Sequence, residues 1–579
     1  MSKQSSPSQP GASPRIKVQG SSSGQGPAID YVSPLPPVRS GIADYSVDLL
    51  AALMPRGDVR ILRLPEQPVA AELEARWQPV AAQEALRQEA GQDPAKGEIS
   101  RLPLYQMGNN PHHTAVDRLA RLYPGVMTLH DLFLHHLLSD QTLGVGEWQP
   151  YRDRLEADHG GLGAVAAVPR RWGGYSQASL FSLPAHGSLL RAQRGILVHS
   201  RWAAQRIVED DPRIAVRVVP MGVPLPEAPS AQAGRAWRLA RGLPAQAPLL
   251  GSFGFQTPIK RTDVAVAALA RPGLESVHLV VVGEVSPHLD LLSQAQQLGV
   301  ADRVHVTGFV PFEEFEAAIA ACDLCLNLRY PTAGETSASL LRVLALGRPA
   351  VVSDFAQFAE LPSSAVVSVP LGDDEEEQLA TQLAQLLAAP ELLAAMGAAA
   401  REHVRREHAP ERAAKAVLEA CGELAGLTPP GSAPELPEES SVPATGLAPS
   451  TLVPSTLAWG VVEGSLAVEG AEEPWPAGAR RRLRLRLTNH GLARWLPAEA
   501  GPGGVAVEVR VEGADGRPLE PHRPWLPLPR GVAPGESLEL EVEVRRPPGP
   551  GALWIEPHVS GAGGFGALGG PTWRRSYGS

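Results

Sequence analysis

Between Ile29 and Leu424 short apolar runs alternate with segments of helical period, and the alternation comes in two successive blocks. In the first, "IDYVSPL" reads as a strand, "ADYSVDLLAALM" as a helix and "DVRILRL" as a strand. "GVMTLHD" and "RGILVHS" read as further strands, the latter followed by a helix from Arg201 with Ser200 as its N-cap. The second block runs "PLLGSFG", the helical "RTDVAVAALA", "VHLVVVGE", "VHVTGF", "LCLNL" and "AVVSD", and closes with helices between Asp374 and Leu424. Strands separated by helix-length crossovers pair in parallel, because a hairpin cannot join them. The expected fold class is therefore α/β, with two Rossmann-like domains at 28–220 and 221–425 and a cleft between them.

The pattern then changes. Residues 426–456 are rich in Pro, Ser and Glu without a period and read as a linker, as residues 1–27 read as a disordered tail. From 457 to 579, "RRRLRLRLTN", "GGVAVEVRVEG", "SLELEVEVRR" and "ALWIEPHVS" alternate with period two between Gly/Pro turns, which predicts an all-β sandwich. In it Leu483, Leu485 and Leu487 face inward and Arg482, Arg484 and Arg486 outward. Leu538, Leu540, Val542 and Val544 likewise leave Glu539, Glu541 and Glu543 outside, so neighbouring strands would neutralise the two rows. Trp495, Trp525 and Trp554 are open to two readings, core filling or stacking on sugars.

Composition narrows the functions. A net charge of −10 and a pI near 5.9 argue against nucleic acid as the main partner. Three cysteines provide no disulfide framework, and Cys322 and Cys325, a C-x-x-C inside the apolar "ACDLCLNL", read as buried strand thiols. A reducing compartment fits. The first residues carry no apolar signal segment and no run of 18 apolar residues occurs, so a cytoplasmic protein without a transmembrane segment is expected. Peripheral membrane contact is left open.

The candidate chemistry gathers at strand ends. In "RYPTAGETSASLLRVLALGRPAVVSD" small residues crowd a helix start at Thr336, Ser337, Ala338 and Ser339, where unpaired amides and the dipole suit a phosphate. Glu335, a carboxylate in that loop, cannot serve phosphate. Ser40 and Gly41 precede the first helix, where Gly41 either admits a phosphate or sugar close to the backbone or serves a tight turn. Gly254 and Lys260 follow the first strand of the second block; Lys260 reads as a point charge for a diphosphate or as a solvated lysine, and Asp263 as a helix cap. His130 ends a strand and either bonds a sugar hydroxyl or caps the next helix. His135 and His136 stand five and six residues beyond it, a poor spacing for zinc, so no metal site is expected.

Taken together, "SPLPPVRSGIADYS", "QMGNNPHH", "PGVMTLHDLFLHH", "GILVHSRW", "VVPMGV", "GFQTPIKR" and "GETSASLLRVLALGRPAVVSD" resemble, in order, the family 4 retaining glycosyltransferases of GT-B fold. The resemblance covers residues 29–424. It implies transfer of a sugar from a nucleotide-diphosphate sugar, a substrate rather than a cofactor, to a hydroxyl on a saccharide or lipid-linked saccharide. It implies catalytic roles for His130, Lys260 and Glu335, with Glu335 contacting the donor sugar. Ser40, Gly41, Gly254, Gly308, Phe309, Thr336, Ser337, Ala338, Ser339 and Arg342 would line the donor site, Gly308 and Phe309 at the base. Residues 139–190 are the expected seat of acceptor selectivity. The β-sandwich is similar to immunoglobulin-like accessory domains of bacterial polysaccharide enzymes.

Two departures stand out. The family carries Arg after the glycine at Gly254, where this chain has Phe255. Its glutamate pair, seven residues apart, falls here on Gly334 and Arg342, with Glu335 one residue late. A guanidinium donates where a carboxylate accepts, so ribose recognition must differ. A non-catalytic glycan-binding scaffold and a sugar-nucleotide epimerase on the same fold are the rival expectations.

Overall fold

The computed structural model describes residues 27–65, 67–90, 100–171, 180–226, 231–287, 289–427 and 429–430. In the C-terminal part it describes 464–472, 475–490, 494–497, 504–513, 519, 525–546, 548–559, 563–564 and 571–577. The expected tail before Pro27 and the expected linker from residue 431 onward lie outside the described residues. The chain forms two compact units, the first comprising residues up to Gly108, Ala115–Leu132 and Leu189–Pro434.

That first unit holds both parallel sheets. Strands β1 (Ile29–Val32), β2 (Val59–Arg63), β3 (Val80–Ala81), β4 (Leu102–Met107), β5 (Val126–Leu129), β6 (Gly195–Val198) and β7 (Val216–Val218) form one. Its order is β3-β2-β1-β4-β5-β6-β7. Strands β8 (Leu249–Phe253), β9 (His278–Val282), β10 (Val304–Gly308), β11 (Leu324–Asn327), β12 (Ala350–Ser353) and β13 (Val366–Val369) form the other, ordered β10-β9-β8-β11-β12-β13. In both, the order reverses beside the first strand, the switch point where open α/β sheets bind ligands at their carboxyl ends. Central strands are buried on both faces, which is why they read as continuous apolar runs. Cys322 and Cys325 are buried and free, as their apolar setting required. The last helix of the unit, Pro410–Leu424, packs on helix Gly41–Leu53 and β6, so the chain ends this unit against the sheet that began it.

Local capping follows the sequence closely. Ser40 accepts the Ile42 amide at the start of helix Gly41–Leu53, and Ser200 accepts the Ala203 amide at helix Arg201–Asp210. Asp263 is a correction: it lies inside the first turn of helix Thr262–Ala268, whose N-cap is Arg261 in left-handed conformation. A carboxylate one residue inside the turn still faces the positive end of the dipole. No single helix among the described residues is long and apolar enough to cross a membrane.

The second unit joins Asn109–Thr114 and Phe133–Ser188 to the C-terminal strands. Its helices His135–Gln141 and Trp148–Arg171, the latter kinked at Gly160, occupy most of the stretch expected to choose the acceptor. His135 is fully buried between the Leu183 carbonyl, 3.1 Å from Nδ1, and the Tyr151 hydroxyl, 2.7 Å from Nε2. Burial, with Arg170 nearby, pushes its pKa down to about 3, so it is a neutral structural brace.

The C-terminal strands are β14 (Gly464–Glu469), β15 (Arg480–Asn489), β16 (Val505–Gly513), β17 (Trp525–Pro527), β18 (Ser537–Arg545), β19 (Gly551–Val559), β20 (Gly563–Gly564) and β21 (Trp573–Tyr577). They form antiparallel sheets β14-β15-β18 and β17-β16-β19-β20, with β21 also on β19. Leu483, Leu485 and Leu487 of one sheet share an apolar cluster with Val505, Val507, Val509 and Ile555 of the other. In the β15–β18 register Arg482 faces Glu543, Arg484 faces Glu541 and Arg486 faces Glu539, so the two charged rows do neutralise one another. Trp495 is core; Trp525 is half exposed, and Trp554 lies between the Arg510 and Arg574 guanidinium groups.

Candidate functional site

The donor-side loops are built by buried side-chain amides. After β8 the backbone turns at Gly254, with φ +84°. Gln256, fully buried, then ties the loop down by donating to the Gly254 carbonyl (2.8 Å) and accepting from Thr262 Oγ1 (2.7 Å). The short helix Pro258–Lys260 folds Lys260 back over the strand end, where Nζ donates to the Phe253 carbonyl at 2.5 Å. A Cβ at Gly254 would stand 3.0 Å from that Nζ, which is why the turn and the lysine occur together. Burial first, then Arg329, holds the Lys260 pKa well below the usual lysine range, with Glu335 opposing.

The loop after β11 lies beside it. The Tyr330 amide donates to the Ile259 carbonyl at 2.9 Å, joining the two loops at the residues next to Arg329 and Lys260. Glu335 accepts from Thr332 Oγ1 (2.8 Å), the Ala333 amide (3.0 Å) and Arg329 Nε (3.2 Å). Gln357 braces the same loop through Thr332 Oγ1 and the Glu335 carbonyl. The helix expected here spans Ala338–Ala345, with Ser337 as N-cap accepting the Leu340 amide and donating to Asn327. The amides of Ala338 and Ser339 at that helix start remain the ones open to an anion. The Thr336 and Ser339 side chains lie at the same end, half exposed.

Gly334 explains the displaced glutamate. Its φ is +80°, and a Cβ there would lie 2.5 Å from Leu132 Cβ and 3.1 Å from the Trp202 ring. No side chain fits, so the loop's carboxylate stands one residue later. Arg342 is turned onto helix Gly41–Leu53, its Nη2 2.8 Å from Asp48 Oδ2. Burial pushes the Asp48 and Asp44 carboxyls up, and Arg342 pulls both back down.

Across the cleft, a Cβ on Gly41 would meet nothing within 4 Å, so the glycine is not demanded by a tight turn and leaves open space at the helix start. Arg39 lays its guanidinium 5.2 Å over the exposed ring of Phe309, which follows Gly308 (φ +69°) at the end of β10. His130, buried at the end of β5, pairs Nε2 with Gln106 Oε1 at 2.9 Å and packs edge-on to Tyr45. It does not cap the next helix, which has no side-chain cap. Sequence reasoning missed Arg329, Gln256, Gln106 and Gln357. The signal for Arg329 was a charged residue directly after the apolar run "LCLNL".

Two parallel sheets with their carboxyl ends lining one cleft, a lysine and an arginine at the end of the second, and antiparallel sheets appended define a GT-B architecture with an extra C-terminal domain. Residues 247–389 match the family described as "Glycosyl transferases group 1". It is 30% identical over 202 residues to the D-inositol 3-phosphate glycosyltransferase of Segniliparus rotundus, covering 33% of this chain and 43% of the relative. Identity is also 30% over 178 residues to a UDP-N-acetylglucosamine–N-acetylmuramyl-(pentapeptide) pyrophosphoryl-undecaprenol N-acetylglucosamine transferase of Sorangium cellulosum, covering 29% of this chain and 42% of that one. The chain thus spans less than half the length of these curated relatives. Among solved structures, HepE of Anabaena in complex with UDP and glucose aligns at 16% identity and TM-score 0.49, covering 69% of this chain and all of that one.

Proposed function

We propose that this protein transfers a sugar from a nucleotide-diphosphate sugar to a hydroxyl acceptor with retention at the anomeric carbon, in polysaccharide or glycoconjugate synthesis. The observation that carries the reading is Lys260, folded onto the end of β8 within electrostatic reach of Arg329 and of Glu335, in the loop that leads to the helix start at Ser337. In the reaction the bond from the anomeric carbon to the diphosphate oxygen breaks and one to the acceptor oxygen forms on the same face. The acceptor proton passes to the departing phosphate oxygen. Lys260 and the Ala338 and Ser339 amides stabilise the charge that develops on the leaving group. His130, fixed by Gln106, stands on the sugar side, and the loop after its strand reaches Leu132, whose Cβ would lie 2.5 Å from a Cβ on Gly334. A saccharide or lipid-linked saccharide is the acceptor class, and the cytoplasm is the compartment that supplies such donors.

The test is a thermal-shift panel of UDP-, GDP- and ADP-sugars on the full chain, followed by detection of released nucleoside diphosphate. The Sorangium relative's name specifies a UDP-N-acetylglucosamine donor, so that sugar belongs in the panel. Lys260→Ala is expected to lose roughly 10²- to 10³-fold in kcat with its fold intact. Full turnover in that variant overturns the assignment. Binding without release across broad acceptors favours the scaffold reading, and interconversion of two UDP-sugars the epimerase.

A further inference from the structure

Arg329 is 6% exposed, two residues beyond the end of β11, and has no counterpart among the site residues read from the sequence. Its amide is held by Ser353 Oγ at 2.9 Å, its Nη1 by the Leu328 carbonyl at 2.9 Å and its Nε by Glu335 Oε1 at 3.2 Å. Among the described residues, Nη2 makes no hydrogen bond. Lys260, in the adjoining loop, spends one of its three donors, on the Phe253 carbonyl. Glu335 does not neutralise both cations: one of its oxygens is committed to Thr332 and Ala333, leaving the other for Arg329. Arg329, buried, and Lys260, half-buried, thus share one carboxylate, with donors unspent on each. Such an arrangement is costly unless an anion completes it.

We infer that Arg329 is a second cation for the leaving group, gripping the donor's diphosphate together with Lys260 while Glu335 holds its guanidinium in place. The inference rests on the donor-site reading above. A guanidinium suits this task because its planar fork can meet two phosphate oxygens at once, whereas Lys260 acts as a point charge. The position directly after Gly254 holds no charge, its exposed side chain being Phe255, and the second cation comes instead from the end of β11. Glu335 is accordingly a positioning residue for Arg329 in addition to bordering the sugar.

The experiment uses the full chain, with inorganic pyrophosphate and UDP as calorimetric probes and donor turnover as the second readout. Arg329→Met is expected to weaken both probes and to lower kcat/KM for the donor by about 10²-fold, the scale of one lost transition-state contact. The KM for the acceptor is expected to stay unchanged. Arg329→Lys keeps charge without the fork and is expected to lie between, with wild-type thermal stability. In the Arg329→Met background, Phe255→Arg places a cation one residue beyond Gly254 and is expected to restore probe affinity by at least a few-fold. Wild-type probe affinity in Arg329→Met or in Arg329→Lys overturns the inference. So does equal loss of turnover in Arg329→Met and Glu335→Gln with probe affinity intact, since that outcome makes Arg329 a loop brace. If the wild-type chain binds neither probe, the donor-site reading itself has failed, and that result is distinct from any difference between variants.

Discussion

At the scale of single residues, Lys260 links donor binding to pH. Its ammonium is disfavoured by burial and then by Arg329, which hold its pKa well below the usual lysine range. A bound diphosphate favours the charged form, so binding raises this pKa and takes up a proton wherever pH lies between the two values. Affinity must then fall as pH rises through that window. Calorimetry of UDP binding in buffers of different ionisation enthalpy should show proton uptake, and Lys260→Met should abolish it; uptake that persists in the variant refutes the linkage. Gly334 gives a second residue-scale expectation. Gly334→Glu, which places a glutamate where the resembled glycosyltransferases carry one, forces a left-handed φ on a side chain that also strikes Leu132. The cost should be roughly 3 kcal/mol or more, read as a lower Tm, with no gain in donor affinity. A stable Gly334→Glu variant would contradict the packing described here. The sequence pointed to this loop through its small residues, but not to the reason for Gly334, because the atoms that exclude a side chain come from residues 132 and 202.

At the scale of elements, most strands and helix starts were legible because buried parallel strands leave continuous apolar runs and Ser40, Ser200 and Ser337 mark helix starts. The cap expected of Asp263 failed because Arg261, in a left-handed conformation, is the N-cap and the helix starts two residues earlier than that cap would place it. The site was legible where a residue sits on its own strand end, as with Lys260 and His130. It was not legible where a pairing crosses between elements, as Arg342 with Asp48 does over 294 residues. That pair ties helix Ala338–Ala345 to helix Gly41–Leu53, with Asp44 alongside. Arg342→Glu introduces the second glutamate of the resembled glycosyltransferases but sets it against two carboxylates that burial already pushes up. We expect a loss of about 1–3 kcal/mol, discounted for partial exposure of both partners, and a raised donor KM. The charge swap Asp48→Arg with Arg342→Asp should recover part of the stability. Equal Tm values for wild type and Arg342→Glu would remove the pair from the account.

At the scale of the molecule, the second unit gives the C-terminal sheets a structural part in the region expected to choose the acceptor. Leu496 enters one apolar cluster with Leu138, Leu143, Tyr151, Leu155, Ala167, Leu183 and Ala185, all from the helical stretch between Phe133 and Ser188. That stretch is poor in strand signals. Its kinked helix Trp148–Arg171 exposes Leu162, Val165 and Val168 while burying Tyr151, Leu155 and Ala167. A cluster this small depends on each large member, since removing one leaves a cavity that the others cannot fill. Leu496→Ala removes one such member and leaves a cavity, at a cost of about 2–5 kcal/mol to local order. The effect should appear as faster amide exchange across 135–171, while exchange in β8 to β13 stays at its wild-type rate. Donor hydrolysis without acceptor should be unchanged in the same variant, and acceptor KM should rise. Unaltered exchange in 135–171 would mean that the sheets contribute nothing to holding these helices, and their purpose would then have to be sought on the face bearing Trp525.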